Sequence, residues 1–580
     1  MNQDAKKQRM LPSYRVSTFT SAPRHPLGVK PSGNAIMEGF GPKERAEARG
    51  KLLGHLAIFP EELLVEVLTY ITTPEDLRNL GHASRMLYAY TYDEELWRKM
   101  YTNEFIRMEQ AARADSKPVV LKPYGCDQWK GSWRKTILKL GDDQEACLQV
   151  RDTLYSDLLY RPYQCSQVDY KTIFRKVIDF ERRSSNLVCN LNPDFGIDRF
   201  DESQFDEEKF RKEYIDKPFI LRAKDNDARW PGWDLAYLVS KYPQVKFRQE
   251  SVTWPLSHYA DYFKKNRDES PLYLFDCASE AMEKIKNQYA PPDVFQKDFF
   301  TLFQQDGVQC RPDHRWLIAG PARSGSTFHK DPNQTSAWNA VLSGMKLWVM
   351  LPPDVAPPGV STDKEEEEVT SPVGITEWVL SGYYNDAVNL AQQGKCRIGV
   401  QFASECIYVP AGWWHTVINI TDSVALTENF VPEPILPRVL NFFKNKTKQI
   451  SGFHMKDLVA SIESFLELQR GNIGNKTNLT LLEEFLDQSK TSQLDNEDCG
   501  VLNASEIAAP LYEFFCELIQ QSDYRGALPA AQQALKDIEI RDAQQQQTSR
   551  VNIKDSEKWM ELTKMSESPF SFCFDADDDA

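Results

Sequence analysis

Histidine is scarce in this chain, with eight in 580 residues. Its eleven cysteines are scattered, odd in number, and never stand as Cys-x-x-Cys. That spacing excludes a zinc ribbon and a paired disulfide framework, so a reducing compartment is expected. No apolar run is long enough to span a bilayer, and MNQDAKKQRMLPSYR has no apolar core of the kind a signal peptide needs. An intracellular, soluble protein without membrane association is expected. Positive charge is also short: 69 Lys and Arg stand against 84 Asp and Glu, a formal net charge of −15. Such a chain lacks the basic surface that displaces counterions from phosphates, so no direct nucleic-acid binding is expected. An acidic surface suits a basic protein segment instead.

Core-forming material is plentiful, at 41% hydrophobic residues with thirteen Trp, and the length calls for two to four domains. Residues 1–50 mix Pro, Gly, Ser and charge without periodicity and read as a flexible tail, with a small basic cluster at Lys6, Lys7 and Arg9. Helical patterning begins near Leu56. In FPEELLVEVLTYI, Pro60 suits the first helical position, Glu61 and Glu62 the first turn, and Leu63, Leu64, Val67, Leu68 and Ile71 an apolar stripe. TPEDLRNL repeats the device, with Thr73 as cap and Asp76 completing a capping box, followed by Leu77, Leu80 and Leu87. DEELWRKMY makes a third short helix. This order resembles the F-box, with Phe59 in place of its opening Leu and Leu96-Trp97 closing the pattern. Residues 51–140 are therefore assigned to an F-box and following helices, with Trp97, Tyr101, Trp129 and Trp133 as the aromatic tail.

Further on, KPFILRA and SPLYLFD read as strands, and HRWLIAG, KLWVMLP, ECIYVPAG, HTVINIT and SVALTENFV as a dense series of them. Short strands with Gly/Pro turns argue for a β-barrel or sandwich. The acidic run Glu365 to Glu368 reads as a solvated loop tip. Helical patterns resume in LPRVLNFF, MKDLVASIESFLEL, LTLLEEFLD and LYEFFCELIQQ. They assign 436–540 to a helical region and 541–580 to a disordered acidic tail.

The chemistry concentrates in FHKDPNQTSAWNAVLSGMKLWVML. In an extended segment residues i and i+2 project to one face, so His329 and Asp331 aim at one point. Together they make two thirds of a facial triad that binds Fe(II) and leaves positions open. A third ligand, His415, starts a strand after the Pro-Ala-Gly turn of YVPAGWWHTVINI. Lys346, on one face with Trp348 and Met350, points into apolar surroundings, where a bound dicarboxylate gives its charge a partner. Thr427 and Asn429 share a strand face, and Asn339 and Ser326 are further polar candidates.

SPLYLFD, GPARSGSTFHKDPNQTSAWNAVLSGMKLW and YVPAGWWHTVINITDSVALTENF resemble the JmjC oxygenases. More narrowly they resemble the lysyl-hydroxylase/arginine-demethylase branch once called the phosphatidylserine receptor. The resemblance implies an α+β protein built on a double-stranded β-helix (cupin-like JmjC barrel) over residues 165–435, between the F-box and the C-terminal helices. It implies a dioxygenase using Fe(II), 2-oxoglutarate and O2, with His329, Asp331 and His415 as metal and catalytic positions. Ser326, Asn339, Lys346 and Thr427 fall on cosubstrate positions, Ser326 standing where the branch commonly has Thr, and Tyr273 is a candidate for the pocket wall or for cosubstrate binding. The implied reaction is hydroxylation or N-demethylation of a lysine or arginine in a basic protein, in the nucleus or cytoplasm. The F-box implies a Skp-type adaptor of a cullin ubiquitin ligase as partner. The rival reading is a non-catalytic substrate adaptor that uses the barrel only for recognition.

Overall fold

The computed structural model describes residues 14–20, 22–39, 41–114, 128–141, 154–186, 196–223, 229–363, 369–371, 373–469, 476–491 and 509–549. It divides into two compact units: residues 1–298 with 312–432, and 299–311 with 433–580.

Among the described residues, thirteen strands build the two large sheets of the first unit. They are β1 (Asp198–Asp201), β2 (Phe219–Arg222), β3 (Lys246–Gln249), β4 (Val252–Pro255), β5 (Leu274–Asp276), β6 (Arg315–Gly320), β7 (Gly325–His329), β8 (Ser336–Ser343), β9 (Met345–Leu351), β10 (Arg397–Phe402), β11 (Glu405–Val409), β12 (Trp414–Asn419) and β13 (Ser423–Phe430). Nine form one sheet in the order β1-β2-β11-β8-β13-β6-β5-β3-β4, and four form a second in the order β10-β9-β12-β7. These thirteen strands pair antiparallel except β1 with β2.

Alternation of side chains explains why these strands are apolar on both faces. On β9, Trp348 and Met350 turn inward and meet Ala337, Ile407, Val409 and Val417 from strands of both sheets. Leu347, Val349 and Leu351 turn outward against helices carrying Trp378, Tyr384, Val388 and Val177. The large sheet sends Leu317, Trp338, Tyr408 and Leu426 into a second outer core with Phe210, Phe295, Tyr259 and Tyr262. Cupin-like double sheets with both outer faces covered are the result.

That second outer core continues into the N-terminal helices without a break. Thr73 caps Pro74–Gly81 by accepting from the Asp76 amide. Pro60 sits at the N-cap of Glu61–Thr69, one position earlier than expected. The single apolar stripe expected there divides. Leu64 and Leu68 are 1% and 2% exposed, whereas Leu63 and Val67 are 51% and 45% exposed. Trp97 is buried and donates its indole N–H to the Thr91 carbonyl at 2.7 Å. Tyr101, Trp129 and Trp133 form a ring cluster with Trp254 and Tyr262, so the aromatic tail joins the F-box-like helices to the barrel.

Three boundaries need correction. Residues 14–53 are not a featureless tail. Ser32–Met37 and Pro42–Leu53 are helices, Tyr14, Leu27, Val29 and Ala35 are buried, and Val16 exchanges backbone hydrogen bonds with the Asn385 side chain. The apolar residues here join two different cores, Tyr14 and Val16 one and Leu27 and Val29 the other, which leaves no periodicity to read. Next, Phe299–Arg311, expected in the barrel domain, clusters with the C-terminal helices. There Phe300 and Phe303 stack with Phe443 and Phe515. Finally, the last helix runs Leu528–Ser549, past the expected tail boundary at 541. The basic cluster at residues 6–9, the acidic run at 365–368 and residues 551–580 lie outside the described residues. No helix among those described is long and apolar enough to cross a membrane.

Candidate active site

β7 and β12 lie side by side, with His329 opposite His415 in register. Gly325 makes this approach possible, because a Cβ there would strike the Val417 carbonyl, and its φ of 152° is one that side-chain-bearing residues avoid. The Thr416 hydroxyl donates to the Ser326 carbonyl at 2.7 Å and fastens the pair. The two imidazole centroids are 4.2 Å apart. Asp331 follows in extended conformation just before the turn Pro332–Gln334, which keeps its carboxylate on the histidine side. Ligating atoms of His329, Asp331 and His415 all lie within 4.8 Å of one another.

Each imidazole is oriented by its own strand. His329 Nδ1 sits 2.8 Å from the Thr327 carbonyl, and His415 Nδ1 sits 3.1 Å from the Trp413 carbonyl. Those bonds place the proton on Nδ1 and free the Nε2 lone pairs. Burial, then the neighbouring His329, lowers the pKa of His415 to about 4, which keeps it neutral and available as a ligand. Asp331 Oδ2 is buried and has no hydrogen-bond partner among the described residues. An orphaned carboxylate oxygen beside two oriented imidazoles is a donor set that fits a divalent transition metal with an open face.

Across the cavity stands Lys346, 1% exposed. Its Nζ donates to the Tyr273 hydroxyl at 2.8 Å. Among the described residues no carboxylate is paired with it, and burial lowers its pKa to about 7. Asn339 Oδ1 is likewise buried without a partner among the described residues. A buried amine whose partner is a neutral hydroxyl fits a bound anion, and the orphan Asn339 Oδ1, an acceptor, fits a hydrogen-bond donor beside it. The chamber, about 490 Å³, is large enough for a small dicarboxylate, and Tyr273, Ser326, Asn339, Lys346, Thr427 and Asn429 line it together with the three ligand positions. Thr427 and Asn429 have partners already: Thr427 donates to the Trp338 carbonyl, and Asn429 to the Thr335 hydroxyl, each at 2.7 Å. Tyr273 fits because Gly320 lies under its ring, where any Cβ would collide.

Some polar residues escaped the sequence reading. Asn419 pairs in register with Lys346, donates to Ser324 Oγ and accepts from Ser423 Oγ, each at 2.8 Å. It shares a face of β12 with His415 and Val417, so strand alternation was the signal available. Glu250, Ser270 and Arg323 also line the chamber. They arrive from separate loops, and no local pattern marks them.

A cupin-like domain model matches residues 107–434, and an F-box-like model matches residues 56–103. The chain belongs to the cupin-like JmjC oxygenases and carries an F-box-like domain. Over 446 residues it is 33% identical to Arginine-specific demethylase JMJ22 of Arabidopsis thaliana, covering 74% of this chain and 79% of that protein. Over 222 residues it is 36% identical to Bifunctional arginine demethylase and lysyl-hydroxylase psr-1 of Caenorhabditis elegans, covering 36% of this chain and 53% of that one. It is 26% identical over 206 residues to 2-oxoglutarate and iron-dependent oxygenase JMJD4 of Mus musculus, covering 34% of this chain and 45% of that one.

Proposed function

We propose that this protein is an Fe(II)- and 2-oxoglutarate-dependent protein oxygenase acting on a lysine or arginine side chain of a basic protein. The observation that carries the reading is the convergence of His329, Asp331 and His415 on one point of a chamber whose far side holds the buried, carboxylate-free Lys346. His329, Asp331 and His415 would hold the metal by one face and leave the other open. Lys346, with the Tyr273 hydroxyl beside it, would take the distal carboxylate of the cosubstrate. Ser326, Asn339 and Thr427 would border the rest of that molecule. Trp348, Val409 and Val417 give the chamber apolar walls, which limit water and strengthen the charge pairing at Lys346. With Fe(II) and 2-oxoglutarate bound, O2 oxidises the cosubstrate to succinate and CO2 and an unactivated substrate C–H to C–OH. Oxygen placed on a lysine side-chain carbon stays as hydroxylysine, whereas on an N-methyl carbon it leaves as formaldehyde. The relatives' names cover both outcomes.

The F-box-like helices carry a second proposal, docking on a Skp-type adaptor of a cullin ubiquitin ligase. Its support is the exposure of Ile58, Phe59, Leu63, Val67 and Tyr70, large apolar residues within one short stretch of the F-box-like match. We place the protein in the nucleus, where basic protein segments are abundant. The test is mass spectrometry of basic protein peptides incubated with the protein, Fe(II) and 2-oxoglutarate. A gain of one oxygen or the loss of one methyl, absent with Asp331→Ala, is expected. Unchanged peptides and no succinate would leave a recognition adaptor in its place.

A further inference from the structure

Arg98 belongs to the helix Glu94–Ala114 and falls within the F-box-like match, yet its guanidinium ends against the wall of the oxygenase chamber. Its Nη1 donates to the Ser270 carbonyl at 2.7 Å, and its Nη2 pairs with Glu250 Oε2 at 3.0 Å. Both partners line the chamber. The other carboxylate oxygen of Glu250 accepts the Tyr273 backbone N–H at 3.2 Å. Tyr273 in turn receives the Lys346 ammonium on its hydroxyl. An unbroken sequence of polar contacts therefore runs from a residue of the F-box-like helices to the amine assigned to the cosubstrate.

Several features set this apart from an ordinary surface pair. The Arg98 side chain is only 15% exposed, which shields its end of the pair, while the Glu250 side chain is 45% exposed. Glu250 sits in the two-residue tip of the β3–β4 hairpin with a φ of 50°, the left-handed conformation that such a tight turn calls for, which fixes where its side chain starts. The forked geometry of arginine lets it hold a carbonyl and a carboxylate together, and lysine has no equivalent. Asp268, 3.9 Å from Nη1, is already engaged by the Trp133 indole and the Tyr262 hydroxyl. Arg98 thus grips the 270–273 segment at both ends, directly at Ser270 and through Glu250 at Tyr273.

We propose that Arg98 is a positioning residue of the cosubstrate pocket: it fixes Tyr273 against Lys346 and so sets the affinity for the dicarboxylate. This rests on the oxygenase reading above and extends it to a residue outside the cupin-like match. The F-box-like region is then part of the enzyme's binding apparatus as well as a docking module.

The test is equilibrium binding of 2-oxoglutarate in the presence of Mn(II), without turnover, by calorimetry on the full chain. Arg98→Ala is expected to weaken 2-oxoglutarate about tenfold and leave Mn(II) affinity unchanged. Arg98→Lys, which keeps the charge and loses the fork, is expected to weaken it about threefold. In a Tyr273→Phe background, Arg98→Ala is expected to add less than it does alone, because both act at one hydroxyl. A lowered melting temperature with unaltered 2-oxoglutarate affinity would make Arg98 merely structural and overturn the proposal, as would full additivity with Tyr273→Phe. Should Arg98→Ala fail to fold, Arg98→Lys carries the comparison, and wild-type affinity there would also overturn it. If the unaltered protein binds no 2-oxoglutarate, the oxygenase reading itself falls.

Discussion

The Lys346 ammonium on β9 and the Tyr273 hydroxyl, on the residue just before β5 of the other sheet, meet at 2.8 Å inside the barrel. Their contact leaves a buried cation with a neutral partner, which stabilises a bound dicarboxylate more than it stabilises the empty protein.

Replacing Lys346 with Met should therefore separate binding from stability. The Michaelis constant for 2-oxoglutarate should rise by about two orders of magnitude, as expected when a buried charged partner is removed from a ligand. The protein without ligand should become about 1–4 kcal/mol more stable in urea unfolding, since an uncompensated buried amine is gone.

The stability gain should depend on pH. The folded-state pKa of Lys346 is about 7, below the 10.5 usual for lysine, because burial disfavours the charged form. Between those values the unfolded chain binds more protons than the folded one, so the lysine's contribution to stability grows as pH rises and is lost as pH falls toward 7. The advantage of Lys346→Met over wild type should shrink from pH 7 to pH 10, by at most roughly 1.4 kcal/mol per unit. Urea midpoints across that range check the slope, and a constant difference would contradict it.

Removing Asp331 should act on the metal. Asp331→Ala should lower Mn(II) affinity by at least about 100-fold, more than is typical for changes beyond the direct ligands. The thermal upshift that Mn(II) gives wild type should vanish in the same variant.

On the F-box-like helices the two faces of Glu61–Thr69 should respond differently. Leu63→Asp with Val67→Asp alters exposed positions and should change stability by under about 1 kcal/mol. Retention of a Skp-type adaptor in a pull-down should be lost. Leu64→Asp, a charge placed in the core, should unfold the helices.

Much of the site could be read from local pattern. His329 and Asp331 are two apart on an extended segment, His415 follows a turn that starts a strand, and Lys346 alternates with leucine. Strand pairing then brings these short-range signals together, as His329 opposite His415 illustrates. The supporting residues obey no such period. Glu250 sits in a hairpin tip, Ser270 in a loop, and Arg98 on a helix more than a hundred residues away in sequence. Their meeting depends on how the N-terminal helices pack on the β3–β4 hairpin, which no window of sequence records. Residues 14–53 escaped for a related reason. Val16 and Tyr14 are held by Asn385 and Glu181, partners far along the chain.

The most direct test of the central claim is the anaerobic absorption spectrum of the protein with Fe(II) and 2-oxoglutarate. A 2-oxo acid chelated to Fe(II) gives a visible charge-transfer band. Wild type should develop it at stoichiometric metal, Lys346→Met only at much higher 2-oxoglutarate, and Asp331→Ala not at all. A wild-type spectrum without the band, or an equal band in all three proteins, would contradict a site in which His329, Asp331 and His415 hold the metal and Lys346 anchors the cosubstrate.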